Sequence, residues 1–245
     1  MGMLLKTQNL TKRFGGLTAV DNVDIDVKEG EILGIIGPNG AGKTTFFALV
    51  GGFLEPTEGQ VWFDGNEITG LKPHTICKAG LSRTFQVVQP FPQITVLENV
   101  LVGAYNRTNK ESEAIEIAEE VLEFLGLHHR AHELAKSLTY ADRKRLEVAR
   151  ALATKPKLLM LDEVMAGLRP NETEEQIEIV RKLRDRGVTL IVVEHVMRVI
   201  MALSDRIAVI HHGAKIAEGT PQEIVRTPSV IEAYLGEGAS DVKIG

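Results

Sequence analysis

The run Ile32-Leu33-Gly34-Ile35-Ile36, followed at once by Gly37-Pro38-Asn39-Gly40-Ala41-Gly42-Lys43-Thr44, restricts this chain more than any other stretch. A continuous apolar run reads as a strand buried on both faces. The residues after it match the spacing G-x-x-x-x-G-K-[ST], and a helical pattern begins at Lys43. Glycines let the backbone curl so that successive N–H groups face one anion. The N-terminus of the following helix adds positive potential. In such a loop Lys43 supplies a full positive charge to the β- and γ-phosphates of a nucleotide, and the Thr44 hydroxyl can ligate Mg²⁺. Thr45 is a further candidate phosphate contact. Gly37, Pro38, Asn39, Gly40, Ala41, Gly42, Lys43, Thr44 and Thr45 are therefore the expected nucleotide-binding residues.

The surroundings read as an α/β protein, because strand-like and helix-like segments alternate. Val23, Ile25 and Val27 alternate with Asp24 and Asp26, as in a half-buried strand. Asp64-Gly65 between Val61-Trp62-Phe63 and Ile68 is a hairpin signal. Leu158 to Leu161 and Leu190 to Val193 are further buried-strand candidates. Between them Asn171 is the expected cap of a helix that begins with Glu172, Glu174 and Glu175 and ends with Arg184, Arg186 and Gly187. From about Thr95 to Lys155 the pattern turns helical, with Ile115, Ala118, Leu122 and Leu125 on one face. The expected organisation is an α/β core over 1–88 and 156–235, a helical insertion over 89–155 and a loose tail over 236–245.

Two carboxylates follow the Leu158–Leu161 run, where ligands of open α/β sheets gather. Asp162 is expected to hold Mg²⁺, and Glu163 to polarise an attacking water as general base. His195 follows the Leu190–Val193 strand, a position that favours sensing of the γ-phosphate.

Composition limits the class of protein. The chain has 245 residues, 44% hydrophobic and 25% charged, which is ordinary for a folded soluble protein. Its net charge of −5 gives no basic excess of the kind a nucleic-acid binder carries, so no nucleic-acid partner is expected. No apolar run approaches the length needed to cross a bilayer, and Lys12 and Arg13 interrupt any signal-peptide pattern. Cys77 is the single cysteine, which excludes an intrachain disulfide and fits a cytoplasmic setting. His128, His129 and His132 cluster without a zinc-ligand spacing and read as surface histidines. His211-His212-Gly213 reads as a hairpin turn.

These residues, in this order, resemble the nucleotide-binding subunits of ATP-binding cassette transporters over nearly the whole chain. Phe14 stands where that family places an aromatic on adenine. Gln86, in Arg83-Thr84-Phe85-Gln86, matches the glutamine that reaches the metal and the attacking water. Ser137-Leu138-Thr139-Tyr140-Ala141-Asp142 stands at the signature segment, Ala166-Gly167-Leu168 at the D-loop, and His195 at the switch histidine. The resemblance implies a P-loop NTPase (RecA-like) α/β core, with an N-terminal antiparallel β subdomain and an inserted α-helical subdomain. It implies ATP and Mg²⁺ as cofactors, with Glu163, His195 and Gln86 in catalysis, and with Thr44, Gln86 and Asp162 at the metal. Phe14, Thr139 and Ala141 join the phosphate-loop residues as nucleotide contacts. It further implies a head-to-tail pair with a second ATPase subunit, identical or homologous, and transmembrane permease subunits. The stretch Gln86 to Val100 would meet a helix of those subunits, and the chain would lie peripherally on the inner face of the cell membrane.

Arg83–Gln86, Thr95–Val100, Glu218-Gly219-Thr220-Pro221 and Ala233-Tyr234-Leu235-Gly236 look like the ATPase subunits of branched-chain amino acid importers. Urea importers and the lipopolysaccharide-export ATPase share much of the pattern. The signature segment departs from the family norm. Ala141 adds a methyl where glycine is usual and would be strained if the position needs a positive φ. Asp142 brings a negative charge toward a triphosphate unless Arg143, Lys144 or Mg²⁺ compensates. Arg169 stands where the D-loop often has Asp or Asn. These departures leave open a non-catalytic nucleotide-binding module. A soluble cassette protein of DNA repair or translation is a third reading, although neither a long coiled coil nor a tandem cassette fits this length.

Overall fold

The computed structural model describes residues 2–86 and 89–235. The expected tail over 236–245 lies outside the described residues, as do Val87 and Val88. In chain order come β1 (Met3–Phe14), β2 (Leu17–Val23), β3 (Asp26–Lys28), β4 (Ile32–Ile36), α1 (Lys43–Val50), β5 (Glu58–Phe63) and β6 (Asn66–Glu67). Then follow α2 (Pro73–Ala79), β7 (Leu81–Arg83), α3 (Val96–Ala104), α4 (Glu111–Phe124), α5 (Tyr140–Leu152), β8 (Leu158–Asp162) and α6 (Pro170–Asp185). The chain closes with β9 (Thr189–Val193), α7 (Met197–Leu203), β10 (Arg206–His211), β11 (Ala214–Gly219), α8 (Pro221–Ile224) and α9 (Pro228–Leu235). It divides into two compact units, one up to Pro73 and from Thr189 onward, the other from His74 to Val188.

The first unit holds two kinds of sheet. β2, β1, β5 and β6 are antiparallel neighbours in that order, and β3 also pairs with β1. Asp64 and Gly65, both at positive φ, make the tight β5–β6 hairpin that Asp-Gly signals. The alternation of Val23, Ile25 and Val27 survives as burial, but the strand is split in two at this point. The Thr7 side chain is the reason: its hydroxyl donates to Val23 O at 2.9 Å and accepts from Ile25 N–H at 2.8 Å, replacing a ladder bond. The other sheet places β4 between the parallel strands β10 and β9, with β11 antiparallel on β10. β4 and β9 are buried along their whole length, as expected of strands covered on both faces.

The second unit is mostly helical around the parallel pair β7–β8. α4 buries Ala114, Ile117, Ala118, Val121 and Leu122, so its inward stripe is offset from the expected one, and Ile115 is only half-buried. The α6 cap is a second difference. Arg169 occupies the N-cap position and its N–H donates to the Glu172 carboxylate at 2.8 Å, while Asn171 lies inside the helix. Pro170 decides this, since its fixed φ and missing N–H suit the first helical position. Gly187 follows at φ 86° and ends the helix as expected.

Candidate functional site: a phosphate loop and a carboxylate pair

In the first unit the loop between β4 and α1 needs glycine at its entry. Gly37 has φ 156°, and a Cβ there would lie 2.0 Å from Ile210 O. The chain can therefore turn from strand into loop only without a side chain. Lys43, buried to 6% exposure at the start of α1, donates from Nζ to Gly37 O at 2.6 Å and Pro38 O at 2.8 Å. Its ammonium thus sits inside the curl of the loop. Thr44 is exposed and Thr45 half-exposed on the first turn. Phe14, at the end of β1, presents a ring 46% exposed, with Lys12 Nζ 5.3 Å from its centroid. His195 lies exposed two residues past β9. Sequence reasoning assigned no role to Tyr234 on α9, whose phenol is hydrogen-bonded by the Gly37 backbone. Burial pushes that phenol up to about 12.

In the second unit β8 ends in the carboxylates. Asp162, 1% exposed, closes the strand, and its N–H donates to Thr84 Oγ1 at 3.0 Å. Arg83 Nη2 lies 3.2 Å from Asp162 Oδ2. Burial lowers the Arg83 pKa, and the Asp162 charge opposes that shift. Glu163 adopts φ 50°, in the left-handed region that few non-glycine residues occupy. Two contacts hold it there: Lys144 Nζ donates to Glu163 O at 2.8 Å, and Gln86 Nε2 donates to Glu163 Oε2 at 2.9 Å. Gln86 and Glu163, 77 residues apart in sequence, are thus in direct contact.

Thr139 and Ala141 open α5 in the same unit. Thr139 is the N-cap, its hydroxyl accepting from Asp142 N–H at 3.2 Å. Ala141 lies within the right-handed helix, so the strain expected for a positive φ does not arise. Asp142 finds its countercharge in Arg130, at 2.5 Å, and not in the neighbours named from sequence. Arg143 donates to Leu138 O and Lys136 O, and Lys144 to Glu163 O. No periodicity or spacing signals a pairing between Arg130, on a short 3-10 turn, and the first turn of α5. Tyr140 Oη donates to Ala166 O at 3.3 Å, linking α5 to the turn after β8.

A buried strand, a lysine-bearing anion loop and a carboxylate pair at the end of a second strand define a nucleotide-hydrolysing α/β protein. Comparison with known proteins narrows this. The ABC transporter family model matches residues 20–166, and a model for the branched-chain amino acid ATP-binding cassette transporter matches residues 214–240. The high-affinity branched-chain amino acid transport ATP-binding protein BraF of Pseudomonas aeruginosa is 44% identical over 96% of this chain and 98% of its own length. Among solved structures, an ATP-binding cassette of an ABC transporter in its ADP conformation superposes with TM-score 0.87 at 34% identity, covering 96% of this chain and 100% of the other. A dimeric ATP-binding cassette in a post-hydrolysis state with ADP and Pi gives TM-score 0.81 at 28% identity over 89% of this chain and 99% of the other. The chain belongs to the ATP-binding subunits of ABC transporters and is an ABC-type ATPase.

Proposed function

We propose that this chain hydrolyses ATP to energise import of branched-chain amino acids through separate transmembrane permease subunits. The cargo follows what BraF is named for, together with the match over residues 214–240. The observation that carries the catalytic part is the hold on Glu163. A left-handed backbone, the Lys144 bond and the Gln86 amide together orient one carboxylate as general base for water attack. Lys43, the loop N–H groups and Thr45 bind the phosphates, Phe14 offers a face to the adenine, and His195 senses the γ-phosphate. Asp162, Thr44 and Gln86 supply only oxygen donors, a set that suits Mg²⁺. Bound there, the ion would neutralise charge on the β- and γ-phosphates.

Two ATPase subunits are read as pairing head to tail, so that Thr139 and Ala141 of one complete the nucleotide site of the other. Residues 89–155 form the helical subdomain in this reading, and 1–88 with 156–235 form the core. Within the Gln86–Val100 stretch, the exposed Phe91 ring lies beneath the Arg150 guanidinium at 4.8 Å and suits a permease helix. Among the described residues no helix is long and apolar enough to cross a membrane. Attachment to the inner membrane face then comes through the permease.

The test has two parts. Glu163→Gln is expected to cut steady-state phosphate release by at least about a hundredfold while Mg-ATP remains bound. Turnover near the wild-type rate would remove Glu163 as general base. Uptake of labelled leucine into cells carrying the complex should vanish with Lys43→Ala. Uptake of urea in place of leucine would move the cargo assignment and leave the ATPase assignment standing.

A further inference from the structure

The start of α5 sets the fold against the proposed function. An acidic residue in the first turn of a helix favours the helix, because it complements the dipole and caps an N–H. The same carboxylate opposes a polyanion brought up to that helix end. Asp142 is such a residue: its N–H is capped by Thr139, and the side chains of Thr139 and Tyr140 beside it are exposed.

Arg130 meets this conflict. Its Nη1 lies 2.5 Å from Asp142 Oδ2, the oxygen that also accepts the Thr139 hydroxyl at 2.8 Å. The rest of the guanidinium is fixed by a two-pronged pair with Glu133, Nε to Oε1 at 3.1 Å and Nη2 to Oε2 at 2.9 Å. A planar guanidinium held along one edge by a carboxylate has its remaining nitrogen aimed in a set direction, which a lysine ammonium cannot reproduce. Glu133 accordingly orients Arg130, and Arg130 faces Asp142.

We infer that Arg130 is a positioning residue for ATP turnover: it offsets the Asp142 charge, so that the start of α5 can face the triphosphate held by a second ATPase subunit. This rests on the reading that the Ser137–Asp142 segment completes a partner's nucleotide site. Removing the guanidinium leaves the carboxylate to repel the triphosphate. The loss falls on assembly of the composite site and not on binding of Mg-ATP to the isolated chain.

The experiment measures KM and kcat for Mg-ATP on the assembled transporter, with Mg-ATP affinity of the isolated chain and thermal melting as companions. Arg130→Ala is expected to raise KM about tenfold, and Arg130→Gln, which keeps bulk without charge, to do the same. The isolated chain's affinity for Mg-ATP should be unchanged. Asp142→Asn placed on Arg130→Ala should bring KM back to within about threefold of wild type, because the carboxylate at the start of α5 is gone, while Glu133, released at the same time, has a side chain 44% exposed and is screened by solvent. A wild-type KM in both single variants overturns the inference, as does a double variant no better than Arg130→Ala. Thr139→Trp, a bulky block at the exposed helix start, separates the two levels. Its full activity would remove the composite-site reading and the inference with it. Its inactivity beside normal Arg130 variants would overturn the inference alone.

Discussion

At Gly37 one residue serves loop and sheet together. Its carbonyl receives the Lys43 ammonium, its Cα faces Ile210 O, and its backbone hydrogen-bonds Tyr234 from the far end of the chain. The Tyr234 contact has a pH signature. Burial favours the neutral phenol in the folded state, moving its pKa from 10.0 to about 12. A raised folded pKa means that its stabilisation is complete below the unfolded value and is lost as pH rises through the folded one. Wild-type protein should therefore lose up to about 3 kcal/mol between roughly pH 10 and 12 from this group. Tyr234→Phe should lack that component, and thermal melts of both proteins across this range would show it. Parallel alkaline profiles would mean that the phenol ionises as freely when folded as when unfolded.

Among the elements, α3 and α5 approach so closely that side-chain size decides whether they fit. A Cβ on Gly103 would fall 2.2 Å from Arg150 O and 3.1 Å from the Ala153 Cβ. Both helices carry the residues that the proposed function needs at their ends, the permease-facing stretch before α3 and the signature segment opening α5. Gly103→Ala is expected to destabilise by about 1–3 kcal/mol through overpacking, read from a urea melt. Gly16→Ala, with nothing within 4 Å of its new methyl and an ordinary backbone, should be close to neutral. Equal effects of the two would mean that the helix pair relaxes to accommodate the methyl. The structure adds two reciprocal caps not named from the sequence: Thr95 and Glu98 cap α3, and Thr220 and Glu223 cap α8. At α6 the residue type and the geometry disagree: Asn171 is a good cap by type, whereas Pro170 claims the first helical position and leaves Arg169 as the cap.

For the whole molecule the division into two units matters. The phosphate loop and His195 belong to the first, and Gln86, Asp162, Glu163 and the start of α5 to the second. If Thr139 and Ala141 act on a partner's nucleotide, catalysis by the purified chain depends on pairing. Steady-state phosphate release should then rise faster than linearly with protein concentration. A strictly linear rise, or ATP binding without turnover, would show that identical chains do not build the composite site and that an unlike ATPase subunit is required.

The phosphate loop, the buried strands β4, β8 and β9, the Asp-Gly hairpin and the helical character of the middle of the chain were legible in the residues. Each rests on local physics: apolar continuity, positive-φ turn residues, and a fixed spacing of glycines and lysine within one turn. Asp162 and Glu163 were legible for the same reason, as the residues that end an apolar run. What holds them was not. Gln86 reaches Glu163 across 77 residues, Arg83 reaches Asp162 across 79, and Arg130 meets Asp142 from a separate turn. Nothing in the spacing of such pairs distinguishes them from other polar and charged residues, and Gln86 was placed near the attacking water by family resemblance alone. Only the folded chain brings them within hydrogen-bond reach, because β7 and β8 pair in parallel and a 3-10 turn packs beside α5. Local sequence therefore settles which groups can do chemistry, and long-range packing settles which neighbours orient and neutralise them.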